Sequence, residues 1–189
     1  MIKIEPYKPV WRDEFNTLGQ AIRRELGELA LRIDHIGSTA VPALAAKDRI
    51  DIQVTVRSLD AAIEAAFQRA GYRRVEWIIQ DHVPPGFDGE LSEWEKWTFV
   101  PSAGRRMANV HVRLEGRANQ RYALLFRDYL RSYPAVAQAY SQVKTAVAKY
   151  HAENQEAYYD IKDPVCDIII DGAELWAASV HWQVGPTDA

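Results

Sequence analysis

The chain has 189 residues, 48% hydrophobic and 26% charged, the balance of a single domain with a core of its own. A formal net charge of −3 leaves no electrostatic footprint for nucleic acid, and the single Cys166 excludes an internal disulfide and a cysteine metal cluster. No run approaches the roughly 20 apolar residues of a membrane span and no signal-like apolar segment opens the chain, so a soluble, cytoplasmic protein is expected.

Ile2 to Tyr7 reads as a short extended segment. Trp11, Phe15, Leu18, Ile22, Leu26 and Leu29 then recur at helical spacing, with Pro9 suited to a first helical turn. Leu31 and Ile33 alternate with Arg32 and Asp34, which predicts a strand running into Gly37. Ile50, Ile52, Val54 and Val56 alternate with Asp51, Gln53 and Thr55, which predicts a second strand, and a helical turn over Ala40 to Ala46 is expected between them. Because side chains alternate across a strand, Asp51 and Gln53 share a face. Leu59 to Ala70 reads as a helix capped near Ser58 or Asp60 and closed by Gly71, and Tyr72 to Ile79 as a third strand.

Gln80 to Glu93, with Pro84-Pro85-Gly86 and Asp88-Gly89, reads as a long loop, and the tryptophans read mostly as core, with stacking on a base the alternative for Trp94 and Trp97 beside the loop. A strand from Trp94 to Pro101 turns near Ser102-Ala103-Gly104 into a last strand, Arg105 to Leu114, with Asn109, His111 and Arg113 on one face. Helices follow over Asn119 to Arg131 and Pro134 to Lys149. A third begins near Glu153, is expected to break or kink at Asp163-Pro164, and resumes over Ile168 to Val180 before a loose tail, Gly185 to Ala189.

Gly37 permits close backbone approach to an anion, free N–H groups at a helix start attract phosphate, and the Asp51 carboxylate opposite them suits a divalent metal. Mid-strand among Ile and Val, Asp51 needs a metal, a cation or hydrogen bonds, a metal and a buried Arg partner being favoured equally. Ser38 and Thr39 read either as turn residues or as phosphate contacts. Arg113, Arg121, Arg127 and Arg131 either form an anion clamp or pair internally, Asp128 being near, while Lys144 and Lys162 either reach the same mouth or are surface charges.

The stretch His35-Ile36-Gly37-Ser38-Thr39-Ala40-Val41-Pro42-Ala43-Leu44-Ala45-Ala46-Lys47-Asp48-Arg49-Ile50-Asp51-Ile52 resembles the signature of the GrpB (UPF0157) family. So do Asn109 to Arg113, Asn119 to Arg131, Tyr140 with Lys144, and Tyr158 with Lys162. That family is similar in fold to the nucleotidyltransferase superfamily, whose motif is Gly-Ser followed by Asp-x-Asp or Asp-x-Glu. Gly37-Ser38 and Asp51 match, and Gln53 stands where a second carboxylate is expected.

The resemblance implies one α/β domain: a small mixed sheet with flanking helices over about 1–116 and a C-terminal helical bundle over about 117–182. It implies binding of a nucleoside triphosphate, or another phosphorylated small molecule, with Mg²⁺ or Mn²⁺ held by Asp51. Transfer of a nucleotidyl group would be assisted by Gln53 and His111, the latter as candidate third position, with Ser38 and Lys47 fixing phosphates. A non-catalytic nucleotide- or anion-binding module that has lost the second carboxylate is the alternative. GrpB-like domains fused to dephospho-CoA kinases suggest a third, an interaction or folding-accessory role.

Overall fold

A computed structural model describes all 189 residues. Five strands form one sheet: β1 (Arg32–Ile36), β2 (Ile50–Val56), β3 (Tyr72–Arg74), β4 (Trp97–Pro101) and β5 (Ala108–Leu114). Their order is β1-β2-β5-β4-β3, with β2 and β5 parallel and the other neighbours antiparallel. Helices α1 (Val10–Leu26) and α2 (Ala61–Arg69) accompany the sheet, and α3 (Ala118–Ser132), α4 (Pro134–Tyr150) and α5 (Gln155–Val180) form the C-terminal bundle. The α/β class and the division into sheet and bundle stand as expected. No helix is long and apolar enough to cross a membrane.

Alternation along β2 and β5 gives the sheet two unlike faces. Ile50, Ile52, Val54, Val110 and Val112 pack with Trp11, Phe15 and Ile22 of α1 and Phe67 of α2, all of them buried. Burial of each such side chain contributes about 1.5–3 kcal/mol, so this face anchors the fold. The other face carries Asp51, Gln53 and Thr55 from β2 beside Asn109, His111 and Arg113 from β5, in register. The helical bundle covers this polar face and has its own smaller cores, around Leu44, Leu130, Tyr140 and Ile169 and around Leu125, Ile170 and Ala173.

Several boundaries differ from expectation. The helical turn between β1 and β2 is a 3-10 turn over Ser38–Ala40, earlier and shorter than Ala40 to Ala46. The third strand stops at Arg74: the chain turns where Ile78 N donates to the Val75 carbonyl, leaving Trp77 and Ile79 exposed. Helix α5 runs unbroken through Pro164, because that residue sits on the exposed side where the carbonyl it frees is close to water. The final residues are not loose. Thr187, Asp188 and Ala189 bond to the Ile33 carbonyl, and Asp188 accepts from the His35 N–H and from Arg127 at 2.7 Å.

Candidate functional site

A cavity of about 910 Å³ lies between the polar sheet face and the bundle. Its β1 end is shaped by Gly37, which has φ +67° and ψ −169° and which alone among residues fits this backbone without strain. A Cβ there would also lie 2.6 Å from Asp51 Oδ2, so the glycine brings the Ser38 turn against the carboxylate. Lys144, on α4, donates to Ser38 Oγ and to the Ala45 carbonyl, each at 2.6 Å. Lys47 lies over the ring of Tyr158 at 4.0 Å and that of Tyr159 at 4.9 Å, and Lys162 donates to Asp163 at 2.6 Å and to Cys166 Sγ at 3.5 Å. All three lysines line the cavity.

The sheet supplies the floor. Asp51 accepts from Asn109 Nδ2 at 2.9 Å, and His111 Nε2 lies 3.8 Å from its Oδ1. Lys96 Nζ donates to His111 Nδ1 at 3.3 Å, which leaves the ring hydrogen on Nε2, facing Asp51. Burial first, then Lys96 and Arg113, hold the His111 ring below its ordinary value, so it is neutral at pH 7. Burial raises the Asp51 carboxyl, and His111 and Asn109 more than offset it; with the ring neutral, the Asn109 bond is the firmer hold.

At the lysine end Lys162 has a carboxylate partner in Asp163, and Lys144 has none. Lys144 is 3% exposed, and burial above all, helped by Lys162 and Lys47 and opposed by Cys166 and Asp51, brings its amine down to about 7. Lys47 is lowered by burial and then by Lys162 and Arg49. Burial also works against the Lys162 charge, but Cys166 and Asp163 outweigh it and raise the group.

Gly37, Ser38, Thr39, Lys47, Asp51, His111, Arg113, Lys144 and Lys162 therefore border one cavity. Within it, Thr39 is committed to His35, at 3.0 Å from Nε2, in a pair that also stacks His35 on Phe15. Four other candidates do not reach the cavity. Gln53 is fully buried beneath the floor, its Oε1 accepting from Arg113 and its Nε2 donating to the Gln120 carbonyl at 3.1 Å. Arg121 pairs with Glu174 on the outer side of the bundle. Arg127 is buried against Asp128, Asp188 and the His35 carbonyl, and Arg131 donates to the Ala40 carbonyl. The arginine clamp does not form, because Arg127 and Arg131 bind Asp188 and the His35 and Ala40 carbonyls, Arg121 binds Glu174, and Arg113 binds Asp81 and Gln53.

Asp81 and Lys96 also line the cavity, without a signal in the sequence that marks them. Asp81 takes both Nε and Nη2 of Arg113, at 2.8 and 3.0 Å, as well as Lys96 at 2.6 Å and Asn119 at 3.1 Å. Burial raises its carboxyl, and Arg113 and Lys96 overcome this to leave it well below the carboxylate range. Nothing in the local sequence of a loop distinguishes Asp81 from its neighbour Asp88.

A resident metal pair does not fit these residues. No three His, Cys, Asp or Glu side chains converge on a point where an ion would sit. Of the two positions a metal pair would use, Asp51 is a half-buried carboxylate, while Gln53 is uncharged and both its amide atoms are engaged.

The chain is 36% identical to a protein named dephospho-CoA kinase from Mycobacterium tuberculosis over 96% of its own length, but spans only 48% of that protein. It thus spans about half the length of the mycobacterial relatives it matches. It is 34% identical to a UPF0157 protein of Pseudomonas aeruginosa, over 91% of this chain and 67% of that one. The crystal structure of conserved protein GrpB from Enterococcus faecalis superposes with a TM-score of 0.75 at 29% identity, over 92% of this chain and 99% of that one. A fainter likeness, TM-score 0.41 at 10% identity, to Cid1 in complex with the UTP analogue UMPNPP is too low to carry an argument. With the GrpB protein family model matching residues 1–171, the signature around Gly37-Ser38 and the fold agree, and the chain belongs to the GrpB family.

Proposed function

We propose that the cavity binds a phosphorylated small molecule of the nucleotide class through its phosphates, as a binding site without a resident metal. The observation that carries this reading is Lys144: a lysine 3% exposed, set between a hydroxyl and a carbonyl, with Lys47 and Lys162 adding positive charge and no carboxylate paired to it. A buried ammonium without a counter-ion is costly, and a polyanion entering from the cavity supplies what the protein leaves out. Ser38 and Lys144 would meet the phosphate nearest the sheet, and Lys47 and Lys162 the outer ones.

Nucleotidyl transfer, the chemistry that the family resemblance implies, needs close carboxylates to hold its ions. An ion entering already bound to phosphates would find in Asp51 one carboxylate on the floor, so binding is favoured over turnover. The test is calorimetric titration of inorganic tripolyphosphate, in EDTA, into wild type, Lys47→Met and Lys162→Met. Binding by wild type is expected, with each variant weakened about tenfold or more by loss of one charged hydrogen-bond donor. No heat of binding in wild type at millimolar tripolyphosphate would refute the proposal.

A further inference from the structure

The phosphate reading leaves the far end of the cavity unused. Across the polar face, the strands lead from Ser38 at the end of β1, past Asp51 on β2 and His111 on β5, to Thr98 on β4. That is three strand spacings, about 14 Å. A bare phosphate cannot bridge it, and a nucleotide can.

Three buried polar atoms at this end lack a hydrogen-bond partner: Thr98 Oγ1, Trp94 Nε1 and Asn119 Oδ1. Their residues line the cavity and are 4%, 4% and 1% exposed. They belong to one neighbourhood. Thr98 stands opposite His111 in register, Asn119 Nδ2 donates to the Glu95 carbonyl at 2.9 Å, and the Trp94 ring meets Tyr122 edge-on at 5.7 Å, one helical turn beyond Asn119. Packing explains why the side chains are buried, not why their polar atoms are left unsatisfied, which costs free energy at each. Among them are a donor, an acceptor and a hydroxyl that serves as either, each with less than 1 Å² of accessible surface, so a ligand reaches them only by shifting part of the lining. Tyr122 and Phe126, stacked with centroids 6.0 Å apart, line the cavity alongside.

We propose that this end is a base pocket, in which Trp94 donates to, and Asn119 accepts from, adjacent acceptor and N–H groups on the edge of a nucleobase, with Thr98 as a third contact. The inference rests on the phosphate reading of the other end and narrows its ligand to nucleotides with a planar heterocycle. It also gives Trp94 a role through its N–H rather than its ring face.

The test titrates ATP, GTP, CTP, UTP and inorganic tripolyphosphate, all in EDTA, into wild type, Trp94→Phe and Thr98→Val, with thermal melts to check that both variants fold. At least one nucleotide should bind wild type tenfold or more tighter than tripolyphosphate, by roughly the worth of one or two hydrogen bonds. Trp94→Phe, which keeps a ring and loses the N–H, should weaken that nucleotide roughly five- to tenfold and leave tripolyphosphate unchanged. Thr98→Val, close to isosteric, should act in the same direction and decides the matter if Trp94→Phe does not fold. The base pocket is overturned if all four nucleotides bind no tighter than tripolyphosphate, or if neither variant separates them; the phosphate reading then survives. A nucleotide that binds in a Trp94-dependent way while tripolyphosphate stays silent would sink the phosphate reading and support the base pocket. Silence from all five probes overturns both.

Discussion

Lys144→Met should make the protein more stable while weakening its hold on anions. Lowering the amine from its ordinary 10.5 to about 7 disfavours the charged form by about 5 kcal/mol at pH 6. Methionine removes that cost and fills much of the same space, but it leaves Ser38 Oγ and the Ala45 carbonyl without this donor, a loss of about 1–3 kcal/mol. A net gain of about 2–4 kcal/mol at pH 6 follows from these figures. The pH dependence is the sharper signature. Between the folded value near 7 and the unfolded value of 10.5 the native state binds fewer protons than the unfolded one, so wild-type stability rises with pH across this window. The advantage of the variant should therefore shrink by about 3 kcal/mol between pH 6 and pH 9. Urea unfolding of both proteins at the two pH values measures it, and tripolyphosphate titration at pH 6 should show affinity falling tenfold or more in the variant. A variant less stable than wild type at both pH values, by the same amount, would show that Lys144 is an ordinary structural hydrogen-bonder and would remove the main support for the anion site.

Asp51→Asn should fold normally and, in EDTA, bind tripolyphosphate two- to fivefold more tightly, because it removes a negative charge from the floor of a polyanion site; calorimetry with and without Mn²⁺ checks it, and loss of binding in EDTA would contradict it. Gln53→Glu should lower stability by about 1–3 kcal/mol without creating Mn²⁺ affinity, since it sets a carboxylate oxygen against the Gln120 carbonyl in place of a donor; urea unfolding and Mn²⁺ titration read the two effects. Gly37→Ala should cost about 1–3 kcal/mol through its backbone conformation, and more as the new methyl crowds Asp51, read by thermal melting together with weakened tripolyphosphate binding.

Much of the site could be read directly because its cause is local. The two-residue alternation settles which side chains share a face within each strand, so Asp51 with Gln53, and Asn109 with His111 and Arg113, were legible as sets, while the pairing of β2 with β5 that brings the two sets together was not. The helical spacing from Trp11 to Leu26 likewise announced the helix that buries the opposite face. The Gly37-Ser38 turn was legible because few residues but glycine accept its backbone.

What remained hidden depends on partners distant in sequence. Gln53 looks like a weakened metal ligand until Arg113 and Gln120, 60 and 67 residues away, take up its amide. Arg127 and Arg131 have the spacing of an anion clamp, yet Asp188, 61 residues from Arg127, and the Ala40 carbonyl hold them away from the cavity. Lys144 lies 106 residues from Ser38, and only the packing of α4 over the sheet turns an ordinary lysine into a buried one with a depressed pKa. Local order follows from the period of the apolar residues, which one strand or helix carries by itself. The charge state of a cavity and the partner of each polar group follow from which distant segments exclude water together, and that the chain decides only when it folds.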